Sequence, residues 1–418
     1  MEAGATARRK LGEVLKELRS GNGLTLRGVE ALSQSLPEPV TFDYLSRAES
    51  GRFMPSPEKL ITLSLIYEVP AQHFLDQIEL AQLLSLASNE KDPAALRSEG
   101  HAAADRGDYP VAFASFRKSL YLLEEQQNHP RDEIVNTRIS LAIVLMCLGK
   151  YRLAQREAEA VLELEDLTET SRAAALNTVA AAHYQLNRLD LAEAAALSAA
   201  RAARRGSAPT LLAKALVNLA NVRFDRQQIP AARRLYLRVL GLPDGQLRGY
   251  DRGVVLINLA NCHGSLGEGP EAEAAFQEAL DLALQCSHPR LKALCLAHRG
   301  RFLYRCGRLS EARVVLQEAR SMGMTHQFPA ETFHSSFYLW RIATDAGVGS
   351  EVSELFKALK RLRLGVDQRS EEIGFFDRTL DKIHPSRRRK GVRHVPSKEG
   401  SRSSQPPDFP DSRGGEGG

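Results

Sequence analysis

The sequence predicts an all-α protein: a small N-terminal bundle of short helices, then a solenoid of paired helices, then a disordered C-terminal tail. Three observations lead there. Ala, Leu and Arg dominate while aromatic residues make up only 6% of the 418, a mix that loses little freedom in a helix and argues against a sandwich or barrel. Small residues recur about every 40 positions through the middle of the chain. Residues 384–418 are rich in Pro, Gly, Ser and Arg and show no apolar periodicity. At 43% hydrophobic and 26% charged, a chain of this length can build more than one packed unit.

Residues 7–76 form the first unit. Leu11, Val14, Leu15 and Leu18 share one face of a helix from Ala7 to Arg19, which Gly21-Asn22-Gly23 stops. Thr25 caps a second helix that carries Leu26, Val29 and Leu32 inward, and Leu36-Pro37-Glu38-Pro39-Val40 breaks it. Thr41 caps a third helix through Glu49, with Leu45 and Ala48 inward, and Ser50-Gly51 ends it. Ser56-Pro57 starts a fourth, with Leu60, Leu63, Leu65 and Ile66. A fifth helix from Ala71 to Leu86 leads into a linker helix over 77–92.

Residues 93–372 are an internal repeat with six clear copies. Gly100, Ala142, Ala180, Ala220, Ala260 and Gly300 are spaced 42, 38, 40, 40 and 40 residues apart. Each is followed twelve residues later by Ala112, Ala154, Ala192, Ala232, Ala272 or Ala312, with a turn between. Two antiparallel helices joined by a tight turn pack closely only where small side chains sit at the crossing, and the next pair buries the face left open. This pattern resembles the tetratricopeptide repeat over about 280 residues, with copies of about 40 residues in place of the standard 34. A seventh, degenerate copy runs from about 333 to 372 with Trp340 at the small position, as suits a terminal cap. A capping helix over 373–383, part of a helical stretch from Glu371 to Ile383, precedes the basic tail 384–418 and its Arg387-Arg388-Arg389-Lys390 run.

Several function classes have no support. No run approaches 18 apolar residues, so no membrane span is expected, and Met1-Glu2-Ala3-Gly4 lacks the apolar core of a signal peptide, so a cytoplasmic location is expected. The five cysteines have no CxxC pair and fall in apolar helical patterns, which predicts buried reduced thiols and no zinc site or disulfide framework. HExxH, Walker and GxSxG motifs are missing, so no catalytic residue, metal ligand or cofactor is expected and the chain does not read as an enzyme. His183, His263 and His298 lie in the repeats and read as structural. The formal net charge is +5, of which the tail carries +4 and the first 75 residues carry none. Any nucleic-acid reading therefore rests on a motif and not on bulk charge.

Such a motif is present. Leu24-Thr25, the segment Leu45-Ser46-Arg47-Ala48-Glu49-Ser50-Gly51-Arg52 and Pro55 resemble the Cro/phage-repressor (XRE) type of helix-turn-helix domain. The resemblance implies that the segment beginning at the cap Thr41 enters the major groove, with Phe42, Asp43, Tyr44 and Arg47 toward base edges. It also implies phosphate contacts from Arg27, Ser46 and Arg52. Arg47 can read guanine with two hydrogen bonds, and Asp43 can accept from cytosine N4. Glu49 reads as a structural residue, capping or pairing within the domain.

The solenoid carries its own row. Asn218 and Asn221 sit three apart on the first helix of the fourth repeat, Asn258 and Asn261 hold the same places in the fifth, and His298 and Arg301 continue into the sixth. Asn177 is a member offset by one residue. Amides pair equally well with the backbone of a bound peptide and with one another across repeats, and the sequence leaves both open. A helix-turn-helix followed by tetratricopeptide repeats resembles the peptide-responsive bacterial regulators of the quorum-sensing type. The expected function is a sequence-specific transcriptional regulator of double-stranded DNA, homodimeric, with a peptide or protein on the concave face. The alternative is a scaffold whose small helical domain contacts protein.

Overall fold

A computed structural model describes residues 2–125, 131–243, 247, 249–363 and 370–383. The tail expected over 384–418 lies outside them. Among the described residues every regular element is helical. No helix among them is long and apolar enough to cross a membrane.

Five helices make the head: α1 (Glu2–Gly21), α2 (Leu26–Ser33), α3 (Phe42–Glu49), α4 (Pro57–Ile66) and α5 (Ala71–Leu83). Thr25, Thr41 and Ser56 cap α2, α3 and α4, each side-chain oxygen accepting the backbone N–H three residues on. Leu11, Leu15, Val29, Val40, Leu45, Leu60, Leu63 and Phe74 form one core. Two residues expected inside it are outside. Leu32 is 51% exposed and Leu65 59% exposed. The inward line of the eight-residue α2 is Val29 and Ser33, four apart, and Leu32 falls off it. On α4, Leu60 and Leu63 turn inward, and Leu65 lies about 200° round the helix from Leu63.

Seven antiparallel helix pairs follow: α6 (Pro93–Asp105) with α7 (Tyr109–Glu125), α8 (Arg131–Cys147) with α9 (Tyr151–Leu162), α10 (Glu169–Gln185) with α11 (Leu189–Arg205), α12 (Pro209–Asp225) with α13 (Ile229–Leu240), α14 (Gly249–Ser265) with α15 (Gly269–Gln285), α16 (Pro289–Arg305) with α17 (Leu309–Thr325), and α18 (Pro329–Asp345) with α19 (Gly349–Leu362). A final helix, α20 (Glu371–Ile383), packs on the last pair. The array is a tetratricopeptide-like solenoid.

The small residues act where the periodicity places them. A Cβ added to Gly300 would lie 2.4 Å from the buried Leu316, so nothing larger than hydrogen fits that crossing. Each pair turns through a left-handed residue, glycine in five turns and Asn187 or Gln227 in two. Trp340, far from small, is buried and meets Phe337, Phe356, Phe375 and Phe376 edge-on or tilted. The bulky cluster closes the last open face of the array beneath α19 and α20. The cysteines divide: Cys262 and Cys295 are buried, whereas Cys147, Cys286 and Cys306 are exposed. The exposed three end helices or occupy the cap just after them, where the chain leaves the packed face.

Candidate functional site

Two surfaces concentrate the residues singled out by the sequence. The first is α3 and its surroundings. The helix is seated on α1 by close backbone approach and by charge. A Cβ on Gly12 of α1 would lie 2.5 Å from the Glu49 carbonyl oxygen, so α1 meets the C-terminal end of α3 backbone to backbone. Gly51 has φ +70°, and a Cβ there would lie 3.0 Å from Arg9 Cα. Arg19 Nε and Nη2 donate to the two Glu49 carboxylate oxygens at 2.7 and 2.9 Å, and its Nη1 donates to the Leu24 carbonyl at 3.0 Å. That fork ties α1, the start of α2 and the end of α3 into one body, and gives Glu49 its structural role. The Glu49 bond holds the Arg19 guanidinium above its ordinary pKa despite burial.

The long connection between α2 and α3 is pinned as firmly. The buried Ser33 hydroxyl donates to the Glu30 carbonyl at 2.8 Å and accepts from the Val40 N–H at 2.9 Å. Lys59 Nζ donates to the Pro39 carbonyl at 2.7 Å, and the Thr62 hydroxyl to the Glu38 carbonyl at 2.9 Å. The two prolines therefore sit on α4, and the N-terminus of α3 points outward from a rigid base.

On that base Arg27, Thr41, Phe42, Asp43, Arg47 and Arg52 are exposed, while Ser46 and Tyr44 are half-buried. Tyr44 is committed within the head. Its ring meets Phe53 edge-on at 4.8 Å between centroids, and its hydroxyl accepts the Ser56 N–H at 3.2 Å. Arg47 lies 3.5 Å from Asp43 across one helical turn and 5.8 Å from the Phe53 ring centroid, which leaves it in reach of an outside partner. The side chains of Arg8, Arg9, Arg27 and Arg52 make no ion pair or hydrogen bond with another described residue. Arg8 and Arg9 were not singled out by the sequence. Only the contact between α1 and Gly51 brings them beside Arg52.

The second surface is the inner face of the solenoid. Asn177 on α10 donates to the Leu211 carbonyl at 2.9 Å. Asn218 on α12 donates back to the Asn177 carbonyl at 3.2 Å. Asn258 on α14 donates to Asn221 Oδ1 at 3.3 Å, and the Tyr236 hydroxyl donates to the same oxygen at 2.6 Å. Asn261 Nδ2 lies 3.1 Å from His298 Nδ1, and Arg301 Nη2 donates to Asn261 Oδ1 at 3.2 Å. These seven residues form a polar seam from α10 to α16 in three groups bonded across repeats: Asn177 with Asn218, Asn221 with Asn258, and Asn261 with His298 and Arg301. Asn177 is buried and the other six are half-buried, and a cavity of about 270 Å³ opens over Asn221, Asn258, Asn261, His298 and Arg301.

A larger cavity of about 760 Å³ lies alongside. Its wall runs from Tyr184 and Asn187 through Asp225 and Gln227 to His298, Arg301, Glu331, His334 and Tyr338, and is completed by Glu371 and Glu372 of α20. Residues of the third and seventh pairs face the same space, so the superhelix curls around it. Glu372 is buried, with its carboxylate 2.7 Å from the Tyr338 hydroxyl and 3.7 Å from both Arg301 Nη1 and His334 Nδ1. Burial pushes the Glu372 carboxyl up, but the His334 and Arg301 charges and the Tyr338 hydroxyl outweigh it and hold it below the usual range. Burial also drives His298 well below its ordinary pKa, so it is neutral beside Arg301. Nothing in the repeat pattern singles out Glu372, because α20 lies beyond the periodic region. Among the described residues no cluster of three or more His, Cys, Asp or Glu could hold a metal ion.

No protein-family model matches the chain, and no curated protein matches its sequence. Solved structures do match its shape. A Rap protein complexed with competence and sporulation factor superposes with a TM-score of 0.55 at 14% identity, covering 87% of this chain and 98% of that one. The Rap conjugation gene regulator of plasmid pLS20, in complex with a Phr peptide, gives 0.53 at 12% identity, covering 92% and 98%. The apo form of RapI gives 0.51 at 13% identity, covering 65% and 97%. At such identities the likeness is one of fold.

Proposed function

We propose that the chain is a DNA-binding transcriptional regulator whose solenoid receives a peptide or protein signal on its inner face. The observation that carries the first half is the mounting of α3. It is fixed on α1 by the Arg19–Glu49 fork and by two glycine contacts, and it presents Phe42, Asp43 and Arg47 outward beside the unpaired Arg8, Arg9 and Arg52. A rigid short helix with a readable exposed face and flanking free guanidiniums suits base readout with phosphate anchoring. The half-buried polar seam and its cavity support the second half, and the peptide named in complex with the pLS20 regulator motivates the ligand class.

The first 75 residues carry no net charge, so one copy holds few phosphates, and a dimer that presents two α3 helices one DNA turn apart remedies this. The deciding experiment is selection of genomic DNA fragments by the purified chain, with Arg47→Ala beside it. The expected result is a palindromic site enriched by the parent and lost or degenerate at one position with Arg47→Ala. Replacing Arg8 and Arg9 with Ala is expected to lower the salt dependence of binding by about one phosphate contact per arginine while leaving the selected site unchanged. If the parent enriches no fragment, the scaffold reading replaces this one, and the head becomes a protein-binding surface.

A further inference from the structure

The inner face of the solenoid already grips one carboxylate, and that carboxylate belongs to the chain itself. Glu372 sits where Tyr338 supplies a hydroxyl at 2.7 Å, with the Arg301 guanidinium and the His334 ring each at 3.7 Å. The seat is built and not incidental. Arg301 is held from behind by Asn261 and by the neutral His298, each 3.2 Å from its Nη2, while its Nη1 lies toward the seat, 3.7 Å from Glu372. The seat opens directly onto the cavity of about 760 Å³, within the usual range of small-ligand sites.

The grip of Glu372 on Arg301 and His334 is loose. Charge-assisted hydrogen bonds close to about 2.7–2.9 Å, and 3.7 Å leaves most of that interaction unused. The cause is the mounting of Glu372. It lies in the first turn of α20, whose position is set by Ile373 and Phe376 in the core with Phe333 and Trp340. The helix cannot slide toward Arg301 without breaking that packing. A carboxylate on a flexible ligand has no such restraint.

We propose that Arg301, Tyr338 and His334 form a carboxylate-recognition subsite for the C-terminal carboxylate of a short peptide, with Glu372 as its internal occupant. The inference rests on the reading that the cavity receives peptide, and it adds which end is read and what competes for it. Binding exchanges one side chain, Glu372, for the ligand carboxylate, while Ile373 and Phe376 keep α20 seated. The link from Arg305 to Glu371 at 2.9 Å lets the exchange be felt at the start of α20.

The test uses the full chain and two pools of random short peptides made without Asp or Glu, one with free C-terminal carboxylates and one with C-terminal amides. Retention is measured for the parent, Glu372→Gln, Arg301→Gln and Tyr338→Phe, with Trp340 fluorescence as the check on folding. The expected result is a preference of about tenfold or more for free acids in the parent, the scale of one charge-assisted contact. Glu372→Gln is expected to raise free-acid retention by about tenfold and to leave amide retention unchanged, because it weakens the competitor alone. Arg301→Gln is expected to abolish the preference. Should that variant unfold, Tyr338→Phe, which removes only a hydroxyl, is expected to reduce it. Equal retention of acids and amides, or a preference untouched by Glu372→Gln, overturns the carboxylate subsite while leaving peptide binding in place. Retention of neither pool by any folded variant overturns the peptide reading itself.

Discussion

Breaking the Arg19–Glu49 fork should loosen α3 far more than its distance from the exposed face of that helix suggests. Arg19→Met keeps the aliphatic stem and removes the guanidinium. The two side chains are only 15% and 7% exposed, so the Glu49 carboxylate is left largely desolvated and without the two hydrogen bonds that Arg19 gave it. Removing one partner of a buried pair costs about 3–5 kcal/mol. The residual exposure of Arg19 puts this pair at the lower end, at about 3 kcal/mol, and the loss of the donor to Leu24 is included in that figure. Glu49 is the last residue of α3, so the loss is felt as opening of α3 from α1 and not as global unfolding. Amide hydrogen exchange of peptides covering α3 reads this directly: about 3 kcal/mol corresponds to exchange faster by about a hundredfold. Peptides from α16 should exchange as before. The double variant Arg19→Met with Glu49→Leu removes both charges and should recover most of the protection, because no unpaired ion remains. If the two single losses simply add in the double variant, the fork is not the restraint on α3, and the glycine contacts must carry it.

Two further outcomes follow from the packing. Burial, reinforced by Arg156, holds His73 down to about 4 against an ordinary value of 6.5. Between those values the unfolded chain binds a proton that the folded chain does not. The contribution is therefore full above pH 6.5 and is lost as pH falls toward 4, by up to about 3 kcal/mol, and His73→Gln should flatten that limb in a pH series of urea melts. Gly300→Ala places a methyl group against the buried Leu316 and should cost about 1–3 kcal/mol, read by Trp340 fluorescence in urea, while Gly269→Ala, where the added carbon meets nothing, should cost far less.

The solenoid was legible because its constraint is local and repeated. A crossing that tolerates only Gly or Ala prints a small residue at that position in each of the six clear copies, and a turn that needs a left-handed residue prints Gly there in most of them, with Asn187 and Gln227 in two. The head was legible through its caps, where Thr25, Thr41 and Ser56 each have one local job. Apolar faces were less so. In helices of eight or ten residues only two or three positions separate Val29 from Leu32 and Leu63 from Leu65, and the neighbouring elements decide which turns inward. The amide row was visible as spacing, but its pairing was not. Whether Asn218 bonds to Asn177 depends on the offset between successive helices, which no single repeat encodes. Glu372 and the pair Arg8 and Arg9 lay beyond reach for a related reason. Each matters through a contact with a distant part of the chain, Arg301 in one case and Gly51 in the other.

The head and the solenoid share the helix α5. Its N-terminal half supplies Phe74 to the core of the head, and its C-terminal half supplies Leu80 to the core that also holds Phe113, Phe116 and Leu141. On the same helix Asp76 and Glu79 hold Lys150 at 3.0 and 2.6 Å, and Lys150 lies in the turn of the second repeat. Burial lowers the Lys150 ammonium, but the two carboxylates outweigh it and keep the lysine charged, so the joint is both ionic and partly dry. Lys118 extends the joint by donating to the Ser88 carbonyl at 2.6 Å just beyond α5. A helix locked into two cores transmits rotation and not bending. A change of curvature in the first repeats would therefore turn α5 as a rod, and α1, which packs along α5 and carries the Gly12 and Arg19 contacts to α3, would turn with it. The orientation of the exposed face of α3 is thereby tied to the solenoid by packing and by the ion pairs at the joint.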